Sequence, residues 1–328
     1  MSFLSIIRPI AKSAAFAFLA PLLASGAARA EIIPLDSMVR GISSSPAQCA
    51  AIETAVWVSV ANRGFCMRYY LSTAGGQGAW PVVYLSGDKL GTVDLKTRRI
   101  KVSKTAKDED TRNFQRNADQ LSRLANGPAI YLARVGIDGS SGHHSIRRSV
   151  LELYVTHAAL NAIKQKYQLD GFHLVGQSGG SAILGGLLAL RNDIGCAVPG
   201  AGRLAFLKQR SRPADPLLLH IDPSQAIPAI ARNGARIIVV TDPADQTVQV
   251  QHQSTFVQQM RRHGAPIEQL LVQATDEKRH GVSAYARQAV AACSQGQNTQ
   301  RIAQDVATLV QHRLEIAARR QASGNLIL

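Results

Sequence analysis

The stretch Phe172-His173-Leu174-Val175-Gly176-Gln177-Ser178-Gly179-Gly180 constrains the fold more than any other part of this chain. A short apolar run enters a Gly-x-Ser-x-Gly turn. It leaves into Ser181-Ala182-Ile183-Leu184-Gly185-Gly186-Leu187-Leu188-Ala189-Leu190. That order predicts a strand, a tight turn and a small-residue helix, which together make a nucleophile elbow. Gly176 and Gly180 lack side chains because strand and helix approach each other closely there. The turn holds Ser178 in a strained backbone conformation, with its hydroxyl clear of the sheet. The pentapeptide alone is common in plain strand-to-helix turns, so its flanks give it its weight.

The rest of the chain supplies the partners such a strand needs. Trp80 to Leu85, Pro128 to Ala133, Gly195 to Val198, Ala235 to Thr241 and Ile267 to Val272 read as further strands. Thr111 to Ala125, Ser149 to Tyr167 and Gln251 to His263 show helical apolar spacing, and two more helices end the chain. Val56 to Val60 and Phe65 to Leu71, joined by Ala61-Asn62-Arg63-Gly64, read as a hairpin. Strands alternating with helices predict an α/β fold: a doubly wound, mostly parallel sheet with an N-terminal antiparallel hairpin. Residues 199–234 hold several prolines and a few apolar clusters, enough for only a small cap over the sheet. Residues 31–55 read as a polar lead-in, and the stretch after Asp88 as polar and charged. No internal repeat or low-complexity linker interrupts residues 31–328, which predicts a single domain.

Residues 1–30 stand apart. Arg8 and Lys12 form a basic start, Ala14 to Ala24 an apolar run too short to span a bilayer comfortably, and Ala28-Arg29-Ala30 a cleavage site. This reads as a secretory signal peptide, with a periplasmic or secreted mature chain beginning at Glu31; an uncleaved anchor is the alternative. No later segment is apolar enough to be a transmembrane span. The four cysteines, Cys49, Cys66, Cys196 and Cys293, form no C-x-x-C pair, which argues against zinc and redox motifs. An even count in an oxidising compartment suggests two disulfides. Of the three connectivities, Cys49–Cys66 and Cys196–Cys293 are favoured, the first closing a short loop across the hairpin. The net charge of +15 comes from scattered basic residues without a nucleic-acid motif. It describes a solvated surface, compatible with weak attraction to an anionic envelope surface.

A serine hydroxyl needs a base to become a nucleophile, normally a histidine oriented by a carboxylate. In open parallel sheets reactive groups collect at the carboxyl ends of strands. Asp242 and Asp245 follow the strand ending at Val240, and His280 follows the one ending near Val272. Serine, aspartate and histidine then stand in the order of an α/β-hydrolase. On these residues the chain resembles an α/β-hydrolase-fold serine hydrolase over most of residues 55–293, with likeness to esterase-like and prolyl-oligopeptidase-like members. Asp242-Pro243-Ala244-Asp245-Gln246-Thr247-Val248 resembles the family's acid loop, which favours Asp245 over Asp242, the latter being read as a turn former with Pro243. His280-Gly281 resembles the catalytic histidine loop.

The resemblance also implies an oxyanion hole. One N–H is that of Gly179. Many members carry His-Gly where this chain has Ser86-Gly87-Asp88, so the second N–H falls to Asp88, whose carboxylate must then point away from the developing charge. The loop Arg134 to His144 resembles one beside the active site in prolyl-oligopeptidase-like enzymes. There Arg134 is a candidate substrate-binding residue, or else the partner of a structural acid. Gln177 is a second candidate for substrate contact. His143 and His144 suggest metal only weakly, and neither metal nor cofactor is expected. The expectation is an enzyme cleaving a carboxylic ester, with small peptides as the alternative substrate and a non-catalytic envelope binding protein as the remaining possibility.

Overall fold

The computed structural model describes residues 31–94, 96–206 and 213–324. The leader reading falls on residues 1–30, outside the described residues. Eight strands form the main sheet: β1 (Ala55–Val60), β2 (Arg63–Ser72), β3 (Val82–Leu85), β4 (Ala129–Leu132), β5 (Phe172–Gln177), β6 (Ile194–Gly200), β7 (Arg236–Thr241) and β8 (Ile267–Leu271). Their order across the sheet is β8-β7-β6-β5-β3-β4-β2-β1. β1 and β2 pair antiparallel, as do β2 and β4, while β3 through β8 run parallel. The expected α/β architecture with an antiparallel N-terminal pair is present. The β1–β2 turn has both Ala61 and Asn62 at positive φ, 49° and 59°, the backbone of the tight turn that matches strand twist.

Six longer helices cover the sheet: α1 (Thr111–Ala125), α2 (Val150–Tyr167), α3 (Gly179–Leu190), α4 (Gln251–Arg262), α5 (Ser283–Ser294) and α6 (Thr299–Gly324). The strands sort their side chains by parity, as a pleated strand must. Leu174, Ala197, Ile237 and Val239 enter one core with Leu160, Ile183, Leu187 and Phe256 of α2, α3 and α4. Val175, Val198, Ile238 and Val240 enter the other with Leu121, Tyr285, Ala289 and Ile302 of α1, α5 and α6. Burying each large side chain contributes about 1.5–3 kcal/mol, so both layers hold the sheet. Asp110 caps α1 through the Arg112 N–H, and Ser149 caps α2 through the Glu152 N–H.

The lead-in is more structured than its polarity suggests. Leu35–Arg40 and Pro46–Ala50 are short helices, the second begun by a Ser45/Gln48 capping box with Pro46 in its first turn. Gly91–Val93 and Ile100–Val102 form a small hairpin in the charged stretch. Both expected disulfides are present, Cys49–Cys66 and Cys196–Cys293. Among the described residues no helix is long and apolar enough to cross a membrane. The cap reading covers residues 207–212, which lie outside the described residues. Around them, residues 216–231 form only short helical turns.

Candidate active site

Ser178 sits between β5 and α3 with φ 52° and ψ −111°. Only glycine reaches such a conformation without strain, and other residues require the surroundings to hold it at a cost of about 1–3 kcal/mol. The surroundings do so. The Ser178 N–H donates to the Gly200 carbonyl at 2.8 Å. Ser181 Oγ lies 2.7 Å from the carbonyl oxygens of both Gly176 and Gly200 and accepts the Gly200 N–H at 2.9 Å. Strand and helix meet backbone to backbone: a Cβ at Gly180 would lie 2.2 Å from the Leu85 carbonyl oxygen. The Ser86-Gly87-Asp88 loop after β3 passes directly against the elbow, since a Cβ on Gly87 would lie 3.4 Å from Ser178 Cβ. The Gly179 N–H opens α3, where a helix has no internal acceptor for it.

The loops after β7 and β8 bring the acid and the histidine together. His280 Nδ1 lies 2.7 Å from Asp245 Oδ2, and Asp245 Oδ1 accepts the N–H groups of Thr247 at 2.7 Å and Val248 at 2.9 Å. Both oxygens of this buried carboxylate are therefore engaged, which fixes the side chain and the ring it faces. Gln177 donates from Nε2 to the His280 carbonyl at 2.8 Å, so the residue before Ser178 ties the histidine loop to the elbow. Asp276 accepts the N–H groups of His280 and Gly281 from the other side. Asp242, fully buried, accepts Arg279 Nε at 2.7 Å, Arg279 Nη2 at 3.0 Å and the Ala274 N–H at 2.7 Å. It also accepts the Ala244 N–H at 2.8 Å, so the turn around Pro243 is present as well. The Arg279 pairing has no sequence signal, because the partners stand 37 residues apart.

Arg134 lies wholly inside. Its Nε and Nη2 donate to Glu152 at 3.0 and 2.9 Å, and its Nη1 donates to Asp88 at 2.8 Å and to the Ser86 carbonyl at 3.2 Å. Glu152 is the structural acid of the alternative reading; one turn into α2, its sequence signal is the Ser149-x-x-Glu152 cap. The Asp88 carboxylate meets Arg148 at 3.3 Å and Arg147 at 3.5 Å as well. Burial alone would raise the Asp88 pKa; Arg148, Arg134 and Arg147 outweigh it and hold the carboxyl far below the usual carboxylate range. The carboxylate lies beside the elbow nonetheless, for a Cβ on Gly179 would fall 2.2 Å from Asp88 Oδ1. What screens it is the guanidinium cluster. His144 donates or accepts at Nδ1 with the Val135 carbonyl, 2.9 Å away, and burial followed by Arg134 lowers its pKa to about 4, so it is neutral at pH 7. Among the described residues no group of three or more His, Cys, Asp or Glu is placed to hold a metal ion.

A cleft of about 320 Å³ is lined by Gly87 and Asp88 of the loop after β3 together with Tyr84, Lys89, Phe114 and Tyr131 among others. Its lining mixes three aromatic rings, Tyr84, Phe114 and Tyr131, with charged and amide side chains.

No protein-family model matches the sequence, and a search of curated proteins finds no match. Solved structures do match. An esterase from Pyrococcus furiosus superposes with a TM-score of 0.51 at 12% identity, covering 77% of this chain and 94% of that one. An esterase from Butyrivibrio proteoclasticus with ferulic acid bound gives 0.50 at 11% identity, covering 74% and 99%. An acylaminoacyl peptidase gives 0.48 at 12% identity, covering 76% of this chain and 42% of its own. The chain has the α/β-hydrolase fold.

Proposed function

We propose that this chain is an exported serine hydrolase that cleaves a carboxylic ester through Ser178, His280 and Asp245. The observation that carries the reading is a serine in a strained elbow and, tied to that elbow through Gln177, a histidine locked to a buried carboxylate at 2.7 Å. Ser178 Oγ attacks the acyl carbon while His280 takes its proton at Nε2. Asp245, facing Nδ1, selects that tautomer and stabilises the imidazolium. The N–H groups of Gly179 and Asp88 receive the oxyanion. The tetrahedral intermediate collapses, His280 protonates the departing alkoxide, and the acyl group stays on Ser178. Water, deprotonated by the same imidazole, then attacks the acyl-enzyme and releases the acid. No step calls for a metal or cofactor. Gln177 serves by positioning the histidine loop, and Arg134 by holding the loop that carries Asp88.

The ferulic acid bound to the Butyrivibrio esterase supports a small ester as the substrate. Two disulfides support a location in the periplasm or outside the cell for residues 31–328, read as one domain. The test is labelling by a fluorophosphonate probe, followed by panels of carboxylic esters and aminoacyl amides. The expected result is labelling that Ser178→Ala abolishes, with turnover on esters. Unlabelled, inactive wild-type protein would return the chain to a binding role, and turnover confined to the amides would make it a peptidase.

A further inference from the structure

The loop Ser86-Gly87-Asp88-Lys89 belongs to no strand or helix, yet it has to place one N–H of the proposed oxyanion hole. Gly87 cannot anchor it. It has no side chain, and it lies close against the elbow, where a Cβ would fall 3.4 Å from Ser178 Cβ. The residues around Gly87 therefore set its place. Ser86 and Lys89, which bracket Gly87-Asp88, reach the same group. Ser86 Oγ donates to Asp138 Oδ2 at 3.2 Å, and Lys89 Nζ donates to Asp138 Oδ1 at 2.6 Å. Tyr131 of β4 donates its hydroxyl to Asp138 Oδ2 at 2.9 Å, so the carboxylate that grips the loop is itself tied to the sheet.

Asp138 is fully buried, and a buried carboxylate persists only when it is paired and hydrogen-bonded. Two of its three side-chain partners come from this one loop. Its backbone is held as well. The Tyr70 hydroxyl of β2 donates to its carbonyl at 2.9 Å, and its φ of 58° lies in the left-handed region that short polar residues tolerate. Arg134, four residues earlier in the same turn after β4, donates to the Ser86 carbonyl at 3.2 Å and to Asp88 Oδ1 at 2.8 Å. Ser86 is thus held by its carbonyl and by its hydroxyl, and Asp88 and Lys89 by their side chains. Lys89 has a second partner in Glu109, 3.3 Å away, and rests 4.5 Å from the centre of the Phe114 ring. Loss of the Asp138 charge would therefore loosen the loop without stranding the ammonium.

We propose that Asp138 is a positioning residue for ester cleavage: by holding Ser86 and Lys89 it fixes the Asp88 N–H in the oxyanion hole, and it takes no part itself in making or breaking bonds. This rests on the serine-hydrolase reading. The hydrogen bond to the oxyanion is made in the transition state and not in the bound ester, so displacing the donor lowers kcat and leaves KM. An error of about 1 Å in such a group costs about 100-fold, and losing one donor altogether costs about 100- to 1,000-fold.

The test is steady-state turnover of a methyl ester by Asp138→Asn. At unchanged side-chain size the amide nitrogen must face either the Lys89 ammonium or the Ser86 and Tyr131 hydroxyls, and in both cases the ion pair is gone. The kcat should fall by about 10- to 100-fold while KM stays within about twofold. Ser86→Ala/Lys89→Met removes the two loop contacts and leaves Asp138 in place. It should lose a similar factor, and adding Asp138→Asn to it should change kcat by less than about twofold, because Asp138 acts through those two residues. Three results overturn the positioning role while leaving ester hydrolysis standing: a kcat within about twofold of wild type in Asp138→Asn, a loss carried wholly by KM, or a triple variant in which the two losses multiply. Should Asp138→Asn fail to fold by circular dichroism, Ser86→Ala and Lys89→Met decide singly. A lowered kcat at constant KM supports the role, and wild-type kcat in both ends it. A wild type that cleaves no ester and takes no fluorophosphonate label ends the hydrolase reading, and the positioning role with it.

Discussion

Asp242 and Asp245 stand three residues apart in one loop, and the proposed mechanism gives them opposite duties, so a pair of isosteric substitutions separates them. In Asp245→Asn the amide oxygen still accepts the Thr247 and Val248 N–H groups, so the loop survives. The amide nitrogen then faces His280 Nδ1 as a donor, which forces the ring proton onto Nε2 and removes the lone pair a base needs. A wrong tautomer costs about 10⁴-fold in kcat, or about 5 kcal/mol of barrier. Stability should change by less than about 1 kcal/mol, because no buried charge is left unpaired. In Asp242→Asn the amide nitrogen confronts either Ala274 N–H and Arg279 Nε or Ala244 N–H and Arg279 Nη2, all donors. Asp242 is fully buried, but the Arg279 side chain is 29% exposed and water screens part of the pair. The loss is therefore placed at about 2–3 kcal/mol rather than the 3–5 of a fully buried pair. Urea unfolding gives the stability change at constant slope, and turnover of a methyl ester gives kcat. The division of labour is refuted if Asp245→Asn keeps more than a tenth of wild-type kcat. It is equally refuted if Asp242→Asn lowers kcat more than Asp245→Asn does while remaining as stable as the wild type.

Gly179→Ala should abolish ester turnover, because its Cβ would fall 2.2 Å from Asp88 Oδ1 and 2.7 Å from Arg134 Nη1; near-normal kcat/KM would show that the crowding is harmless. Removing Cys196–Cys293 by serine substitution should cost more than removing Cys49–Cys66, since the bridges span 97 and 17 residues. Loop entropy places the two losses at about 4.7 and 3 kcal/mol, read as urea midpoints, and the reverse order would contradict it. His144 is buried with its pKa lowered from 6.5 to about 4. As pH falls from 6.5 to 4 the unfolded chain takes up a proton that the folded chain refuses, so stability falls by up to about 3 kcal/mol and then levels off. His144→Asn should flatten that part of the stability–pH curve, and an unaltered slope would assign it to other groups.

Much of this architecture is written locally. Phe172 to Leu190 announces strand, turn and helix because each needs its own residue types, and α1 and α2 show their caps and apolar spacing in the sequence. The short helices at Leu35–Arg40 and Pro46–Ala50 are hidden in the sequence because five or six residues show no periodicity, and only the Ser45/Gln48 box marks the second. The candidate site divides the same way. Ser178, Asp245 and His280 are legible because each follows a strand. The pairing of Arg134 with Glu152 across 18 residues and of Asp242 with Arg279 across 37 depends on which loops the sheet order brings side by side, and no local pattern records that. Asp88 shows the limit most clearly. A carboxylate where an oxyanion hole is expected is plain from the residue order, but the three arginines that screen it are not.

The sheet order also sets a sequence of events for a chain made from its N-terminus. β3, β4 and β5 occupy the middle, and β6, β7 and β8 are added to one edge in the order in which they emerge. Each added strand delivers one further component: β5 the serine, β6 the Gly200 carbonyl that holds its backbone, β7 the aspartate and β8 the histidine. Under the proposed mechanism, a chain released or degraded before β8 docks would have a serine without its base. In the proposed enzyme, turnover would therefore report that synthesis, passage across the membrane and closure of the last edge strand had all been completed, and no fragment could hydrolyse esters on the way.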